Sequence, residues 1–270
     1  MAPAFSSHYL GPHMPHLFVN RHRLHDLTNA HPELGNHFRW ETINAVLYKI
    51  GGLMFVIGSM FFFPFDEAYA DLGAWTFFYG SLVYLVVTGH DMCEVWQYWR
   101  TKHPHTTEKI LEFIAATSYL VGTVLFTVGS IFFLSAVGWI LAGAWFFVIG
   151  SALFLIGACV NVTQIVQERS LITLQLMNLT AISFIVGSVL FLVASIPYLW
   201  TIESAAERYT LFTYIAWEYL IGSVLFLLGG VYNYSRAYLL MREEIQQRTQ
   251  QKDSATVFDK KPPKPDVTPY

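Results

Sequence analysis

The feature that most constrains this chain is a segment of the form Trp-x-x-x-x-Gly-Ser, which occurs three times. The copies lie at residues 75–81, 145–151 and 217–223, and their glycines are 70 and 72 residues apart. A partner segment of the form Phe-x-x-Gly-Ser precedes each copy, at residues 55–59, 126–130 and 184–188. An internal repeat of this kind must be recognised before a fold is predicted. The chain is therefore read as three copies of a two-segment unit.

The composition indicates a membrane protein. Hydrophobic residues make up 54% of the chain and charged residues 13%, whereas a soluble domain carries about 25% charged residues. Each Gly-Ser segment lies in an apolar run of about 20 residues, which is long enough to cross ~30 Å of hydrocarbon as a helix. These runs lack the alternation of a transmembrane β-strand. The sequence predicts an all-α membrane protein with six transmembrane helices in three hairpins, at residues 44–63, 73–90, 113–134, 138–160, 173–196 and 209–231.

The distribution of positive charge predicts the orientation. Of the 16 lysines and arginines, 14 fall on the side of the two termini, Arg208 falls on the other side, and Lys49 lies within the first span. The positive-inside rule therefore places both termini in the cytoplasm. We expect a multi-pass protein of the bacterial inner membrane. A net charge of −3 gives no indication of a nucleic-acid partner.

Five segments follow from these spans. Residues 1–43 form a cytoplasmic arm with seven of the ten histidines, and residues 44–112 form the first hairpin with a cytoplasmic extension of its second helix. The second and third hairpins occupy residues 113–170 and 171–242. Residues 243–270 are predicted to be a polar, disordered tail rich in proline and lysine.

The first hairpin resembles the membrane proteins of the YrhK-domain family. Over residues 44–91, Phe-x-x-Gly-Ser is followed by an aromatic run that ends at Pro64, then by Gly-Ala-Trp at 73–75 and Gly-Ser at 80–81. The two later hairpins resemble diverged copies. The second has no proline in its turn, and the third has Ile215 where the others have Gly73 and Gly143. The resemblance implies a repeated membrane hairpin and supplies no catalytic residues.

The Gly-Ser pairs are predicted to be helix-packing sites. Small side chains let two helix backbones approach closely, and a serine hydroxyl can bond to a carbonyl one turn back. Six such sites at similar depth predict a close-packed bundle, and a narrow pore lined by small residues is the alternative. The residues concerned are Gly58, Ser59, Gly80, Ser81, Gly129, Ser130, Gly150, Ser151, Gly187, Ser188, Gly222 and Ser223.

A polar residue lies eleven positions after the Gly-Ser glycine of each even-numbered span. The three residues are Asp91, Asn161 and Asn233. One interpretation is a ring of polar ligands at the cytoplasmic mouth of the bundle. The other is a helix end that reaches water, where polarity needs no function.

Glu218 is an ionisable group within the sixth span and has apolar neighbours on both sides. A carboxylate at that depth is costly unless it is paired, hydrated or protonated, so we expect it to face the bundle interior. Its role is either structural or the handling of a proton or ion. Lys49 lies near the other end of its span, where snorkelling to the interface explains it.

Two groups of residues are weak candidates for metal binding. The histidine-rich arm offers His22, His25, His31 and His37, but their spacing matches no motif of known geometry. The second group runs from His90 to Glu94, and helical spacing places these two on one face, with Asp91 and Cys93 expected to turn away. No metal site or cofactor is predicted.

The preferred hypothesis is a structural, accessory or scaffolding protein that has no catalytic activity of its own. It would lie in the lipid bilayer as a homo-oligomer or within a larger membrane complex. No hydrolase, nucleotide-binding or zinc-protease motif is present in the sequence. The first alternative is a small-solute or proton-coupled transporter that uses Glu218. A more remote alternative is a metal-linked membrane enzyme or sensor.

Overall fold

The computed structural model describes residues 34–64, 69–100, 106–163 and 171–258, and within these ranges the chain forms helices and no strands. The all-α prediction is confirmed. The helices are α1 (Leu34–Met60), α2 (Ala70–Trp99), α3 (Thr107–Phe132), α4 (Ile140–Thr163), α5 (Leu171–Ser195) and α6 (Ala205–Phe258), and a 3₁₀ turn at Ile196–Leu199 follows α5. Most of the predicted arm and the last twelve residues lie outside the described residues.

Local signals explain several helix ends. The α3 helix begins after Thr106, whose hydroxyl accepts a hydrogen bond of 3.3 Å from the backbone N–H of Lys109. The turn into α4 contains Gly138 at a φ of 67°, a conformation that favours glycine. Pro197 lies in the 3₁₀ turn that follows α5. The α6 helix continues to Phe258, so residues 243–258 are helical, although they were assigned to a disordered tail.

The outer surface of the bundle is apolar. On α1, Val46, Ile50, Leu53 and Ile57 recur at helical spacing and are more than one-third exposed, while the opposite face is buried against other helices. A helix that is apolar on both faces requires an apolar solvent for the outer one. All six helices are long and apolar enough to cross a membrane. The chain is a multi-pass membrane protein.

The six helices form a closed ring. Each helix packs against the preceding and following helices, and α1 also packs against α6 to close the circle. Contacts within the pairs α1–α2, α3–α4 and α5–α6 alternate with contacts between them. Within the described residues, no backbone contact joins helices across the ring. Aromatic side chains from all six helices meet along its axis.

Close approach between backbones occurs at paired glycines within each helix pair. A β-carbon placed on Gly150 would lie 3.2 Å from the carbonyl oxygen of Gly122, and one placed on Gly80 would lie 3.3 Å from that of Gly51. Gly58 instead lies opposite Gly73, so the two Gly-Ser pairs of the first hairpin are at different depths. The expectation that all six lie at similar depth is therefore wrong.

In the helix pair α5–α6, the residues that correspond to those of the first hairpin differ from the ones that the sequence pattern predicts. Gly187 lies opposite Gly222, as Gly51 lies opposite Gly80. The residue equivalent to Ser59 is consequently Ser195, not Ser188. Ser195 donates to the Phe191 carbonyl at 2.6 Å, as Ser59 donates to the Phe55 carbonyl at 2.7 Å. Seven residues make about two helical turns, so this shift keeps the same face toward the partner.

Aromatic side chains fill the axis of the ring. Phe77, Phe147 and Tyr219, from α2, α4 and α6, form a triangle with ring centroids 6.1, 6.1 and 6.4 Å apart. Phe191 of α5 lies against this triangle and also contacts Phe126 at 6.0 Å. A cavity of about 20 Å³ remains beside these rings, large enough for about one water. It is lined by Phe55, Ser81, Tyr84, Thr123, Phe126, Phe154, Phe191 and Phe226.

Candidate functional site

A layer of buried polar residues lies at the end of the bundle where odd-numbered helices begin and even-numbered helices end. We call it the polar layer. It consists of Asn44, Asp91, Glu94, Lys109, Glu112, Asn161, Thr173, Asn233 and Arg236, each at most 4% exposed. Three carboxylates and two cations are thus enclosed by the helices, and every helix contributes at least one member.

The three residues at the eleventh position after glycine belong to this layer. Asp91, Asn161 and Asn233 are 4%, 3% and 1% exposed. Polarity at a helix end that reaches water does not account for them, because their side chains are buried between helices. The structure brings them to the same end of the ring together with Glu94 and Arg236, each of which lies three residues further along its helix.

Direct contacts tie the layer to the aromatic axis and to neighbouring helices. The Asn161 amide donates to the Tyr119 hydroxyl at 3.0 Å and thereby joins α4 to α3. The Lys109 ammonium of α3 lies 4.8 Å from the ring centroid of Tyr98 and 5.9 Å from that of Trp99, both on α2. A cation so placed interacts with the negative face of each ring. The layer therefore connects hairpins as well as the helices within one hairpin.

One cluster within and beside the layer has the residue types of a metal site. The potential ligand atoms of His90, Asp91 and Glu94 all lie within 4.8 Å of one another. The prediction that Asp91 turns away from this group is wrong, because residues three apart are neighbours on a helix surface. Cys93 does turn away and is exposed.

Glu218 does not face the bundle interior, contrary to expectation. Its side chain is partly exposed, between the exposed Trp217 and the buried Tyr219, and it does not line the axial cavity. Thr76 and Phe146, which follow the corresponding tryptophans, are also partly exposed. Lys49 places its ammonium 4.0 Å from the ring centroid of Tyr234 on α6, so a cation–π contact holds it in addition to any snorkelling.

Most of the histidine-rich arm lies outside the described residues, which begin at residue 34. His22, His25 and His31 lie outside the described residues, and His37 lies in α1 at a position where only the backbone is described. Metal binding by the arm stays a hypothesis.

The sequence analysis did not single out two buried charged residues at the start of α3. Lys109 and Glu112 precede the predicted third span, yet they are only 1% and 2% exposed. Their three-residue spacing places both on the same helical face as the buried Ala115, Ala116 and Tyr119. That shared face was the signal that could have identified them.

A comparison of the sequence with known protein families matches two of the repeated hairpins. A family model described as YrhK-like protein matches residues 38–95 and again residues 109–166. These ranges contain most of α1 and α2 and nearly all of α3 and α4, whereas α5 and α6 lie outside both. The resemblance to this family is confirmed, and the two matches bear out a repeated unit over the first two hairpins. No curated protein and no solved structure matches the chain.

Proposed function

We propose that this chain, which carries the YrhK-like unit twice, is a structural or accessory protein of the bacterial inner membrane. It has no catalytic activity of its own and acts through its assembly, either as a homo-oligomer or as a subunit of a larger membrane complex. Its six helices are three copies of one hairpin, and both termini lie in the cytoplasm.

The observation that carries this proposal is the filled axis. A transport path through a ring of helices requires polar groups or open volume along its centre. Here the centre is occupied by the triangle of Phe77, Phe147 and Tyr219 and by the rings packed against it. The polar layer lies at one end of this column and is itself buried. Close packing of aromatic side chains, rather than a path for solutes or ions, accounts for this interior.

Two contacts that recur in all three hairpins support the proposal of a threefold hairpin. The glycine pairs Gly51–Gly80, Gly122–Gly150 and Gly187–Gly222 share one geometry. The phenylalanine four residues after the first glycine of each pair receives a serine hydroxyl on its carbonyl in every case. The third copy has lost the second glycine pair, where Ala194 and Ile215 stand, which agrees with its lying outside the matched ranges.

Reconstitution tests the absence of transport. The purified full chain, placed in proteoliposomes with an imposed pH gradient, should dissipate the gradient no faster than protein-free liposomes do. Addition of a protonophore to the same vesicles is the positive control for a measurable gradient. A saturable proton or solute flux that depends on the protein would contradict the proposal and favour the transporter.

Assembly is tested separately. The chain is extracted in a gentle detergent, and the mass of the particle is measured by light scattering with correction for bound detergent. We expect either at least twice the chain mass of 30.8 kDa or a stoichiometric complex with identified membrane subunits. A monodisperse monomer, recovered unchanged after cross-linking in the native membrane, would contradict a scaffolding role.

A further inference from the structure

Three neighbouring side chains of α2 form a cluster of potential metal ligands, and they are those of His90, Asp91 and Glu94. His90 Nε2 lies 3.8 Å from Glu94 Oε1, and His90 Nδ1 lies 4.0 Å from Asp91 Oδ1. The two carboxylate side chains are 5% and 2% exposed, and the imidazole is 22% exposed. The cluster is thus enclosed on its acidic side and reachable from the histidine side.

The spacing of these atoms is close to that of ligands on one metal ion. Zinc binds imidazole nitrogen at about 2.0–2.1 Å and carboxylate oxygen at about 2.0–2.2 Å, so two ligands at a tetrahedral angle are about 3.4 Å apart. The observed 3.8 Å between Nε2 and Oε1 needs a closure of only about 0.4 Å. A carboxylate oxygen of Asp91 lies within 4.8 Å of the ligand atoms of the other two residues.

A neighbouring helix holds the imidazole by its other nitrogen. Nδ2 of the Asn44 side-chain amide, on α1, lies 3.2 Å from His90 Nδ1. Which amide atom points to the ring is an assignment, because oxygen and nitrogen are interchangeable in shape. With the oxygen toward the ring, Nδ1–H donates to it and the Nε2 lone pair faces Glu94. A metal-binding histidine commonly donates its second N–H to a carbonyl in this way.

We propose that His90, Asp91 and Glu94 bind one divalent transition-metal cation, with Asn44 as the positioning residue. Imidazole selects zinc, cobalt, iron or copper over magnesium and calcium, which prefer oxygen ligands alone. Two carboxylates held side by side in a buried place attract a cation and offset its charge. The site is independent of the proposed structural role, and its failure would leave that role unaffected.

Cobalt(II) and zinc(II) are the probes. The full chain is purified without a polyhistidine tag and stripped with EDTA. The background variant replaces all seven histidines of the arm with glutamine, so that binding by the arm does not mask the cluster; they are His8, His13, His16, His22, His25, His31 and His37. Titration with cobalt(II), followed by its visible absorption, should show one equivalent bound in this background, and zinc(II) should displace it.

Two substitutions in that background test the ligands. His90→Gln and Glu94→Gln should each weaken zinc binding more than ~10-fold, and Asn44→Ala should weaken it by ~10–100-fold. Cys93→Ser, on the exposed side of the same helix, is the matched control and should leave binding unchanged. Size-exclusion chromatography verifies folding, and His90→Gln carries the test if the buried Glu94→Gln variant does not fold.

Either of two results overturns the assignment. The background variant could bind no stoichiometric metal, which would mean that the cluster is not a metal site. Alternatively, His90→Gln could retain the full affinity of the background, which would place the metal elsewhere.

Discussion

At the scale of single residues, the contrast between Glu94 and Glu218 shows what sequence alone can and cannot predict. Both are glutamates on helices long enough to cross a membrane, Glu218 among apolar neighbours and Glu94 shortly after His90 and Asp91. Glu94 faces the ring and is 1% exposed, whereas Glu218 lies on a partly exposed face beside Trp217. Depth along a helix is readable from sequence, because it follows from counting residues. The neighbour that each face meets depends on the packing of helices far apart in the chain.

The two glutamates give a matched pair of substitutions. Glu218→Gln should change the free energy of unfolding by no more than about 0.5 kcal/mol, as expected of a partly exposed position. Glu94→Gln should cost about 1.5–3 kcal/mol, because a buried charged acceptor is replaced by a neutral one. Thermal unfolding of both variants in the same detergent measures the difference.

The same pair tests the role of Glu218. If Glu218 is structural, a folded Glu218→Gln variant should behave like the parent chain in the proteoliposome assay. If the parent chain shows proton-coupled uptake and the folded variant has lost it, the transporter hypothesis is supported. The hypothesis that Glu218 is structural is then contradicted.

At the scale of elements, the six helices were predictable but the alignment of the third pair was not. Composition, run length and turn residues were enough to locate each helix, since these signals are local. The Gly-Ser dipeptide at residues 187–188 matched the earlier copies by identity, yet Ser195 occupies the equivalent position. A shift of two helical turns leaves the same face toward the partner, so the periodicity of the sequence does not distinguish the two alignments. Only the contact of Gly187 with Gly222 does.

The glycine contacts predict position-dependent effects of enlargement. Gly150→Leu should destabilise the chain by about 1–3 kcal/mol, because its side chain would meet the backbone of Gly122. Gly89 is the matched control, since a β-carbon there meets nothing within 4 Å. Gly89→Leu should be neutral or slightly stabilising, because leucine favours the helix more than glycine does.

Yield and melting temperature of the two variants, produced side by side, give the measurement. Equal stability of Gly150→Leu and Gly89→Leu would mean that the α3–α4 backbones are not in close contact.

At the scale of the whole molecule, closure of the ring was the part that the sequence did not predict. Hairpins follow from short turns between consecutive helices, but contact between α1 and α6 joins segments more than 150 residues apart. One sign of that contact is the hydrogen bond of 3.0 Å between the hydroxyls of Ser59 and Ser223. Closure encloses the members of the polar layer, each of which is at most 4% exposed. Lys109 and Arg236 were counted among the positive charges on the side of the termini. Closure of the ring explains why both are buried and not exposed to water.

Because those two cations are buried, the orientation rests on the remaining positive charges and needs a direct test. Cys93 and Cys159 are both exposed, so they are first replaced by serine to remove background labelling. Ser204 is exposed immediately before α6, and residue 254 lies near the far end of the same helix. Fifty residues of helix separate the two positions by about 75 Å, more than the ~40–45 Å of a whole bilayer.

In intact spheroplasts, a membrane-impermeant maleimide should therefore label Ser204→Cys at once and Ser254→Cys only after permeabilisation. The reverse pattern would place both termini outside the cytoplasm, and labelling of both sites without permeabilisation would mean that α6 does not cross the membrane.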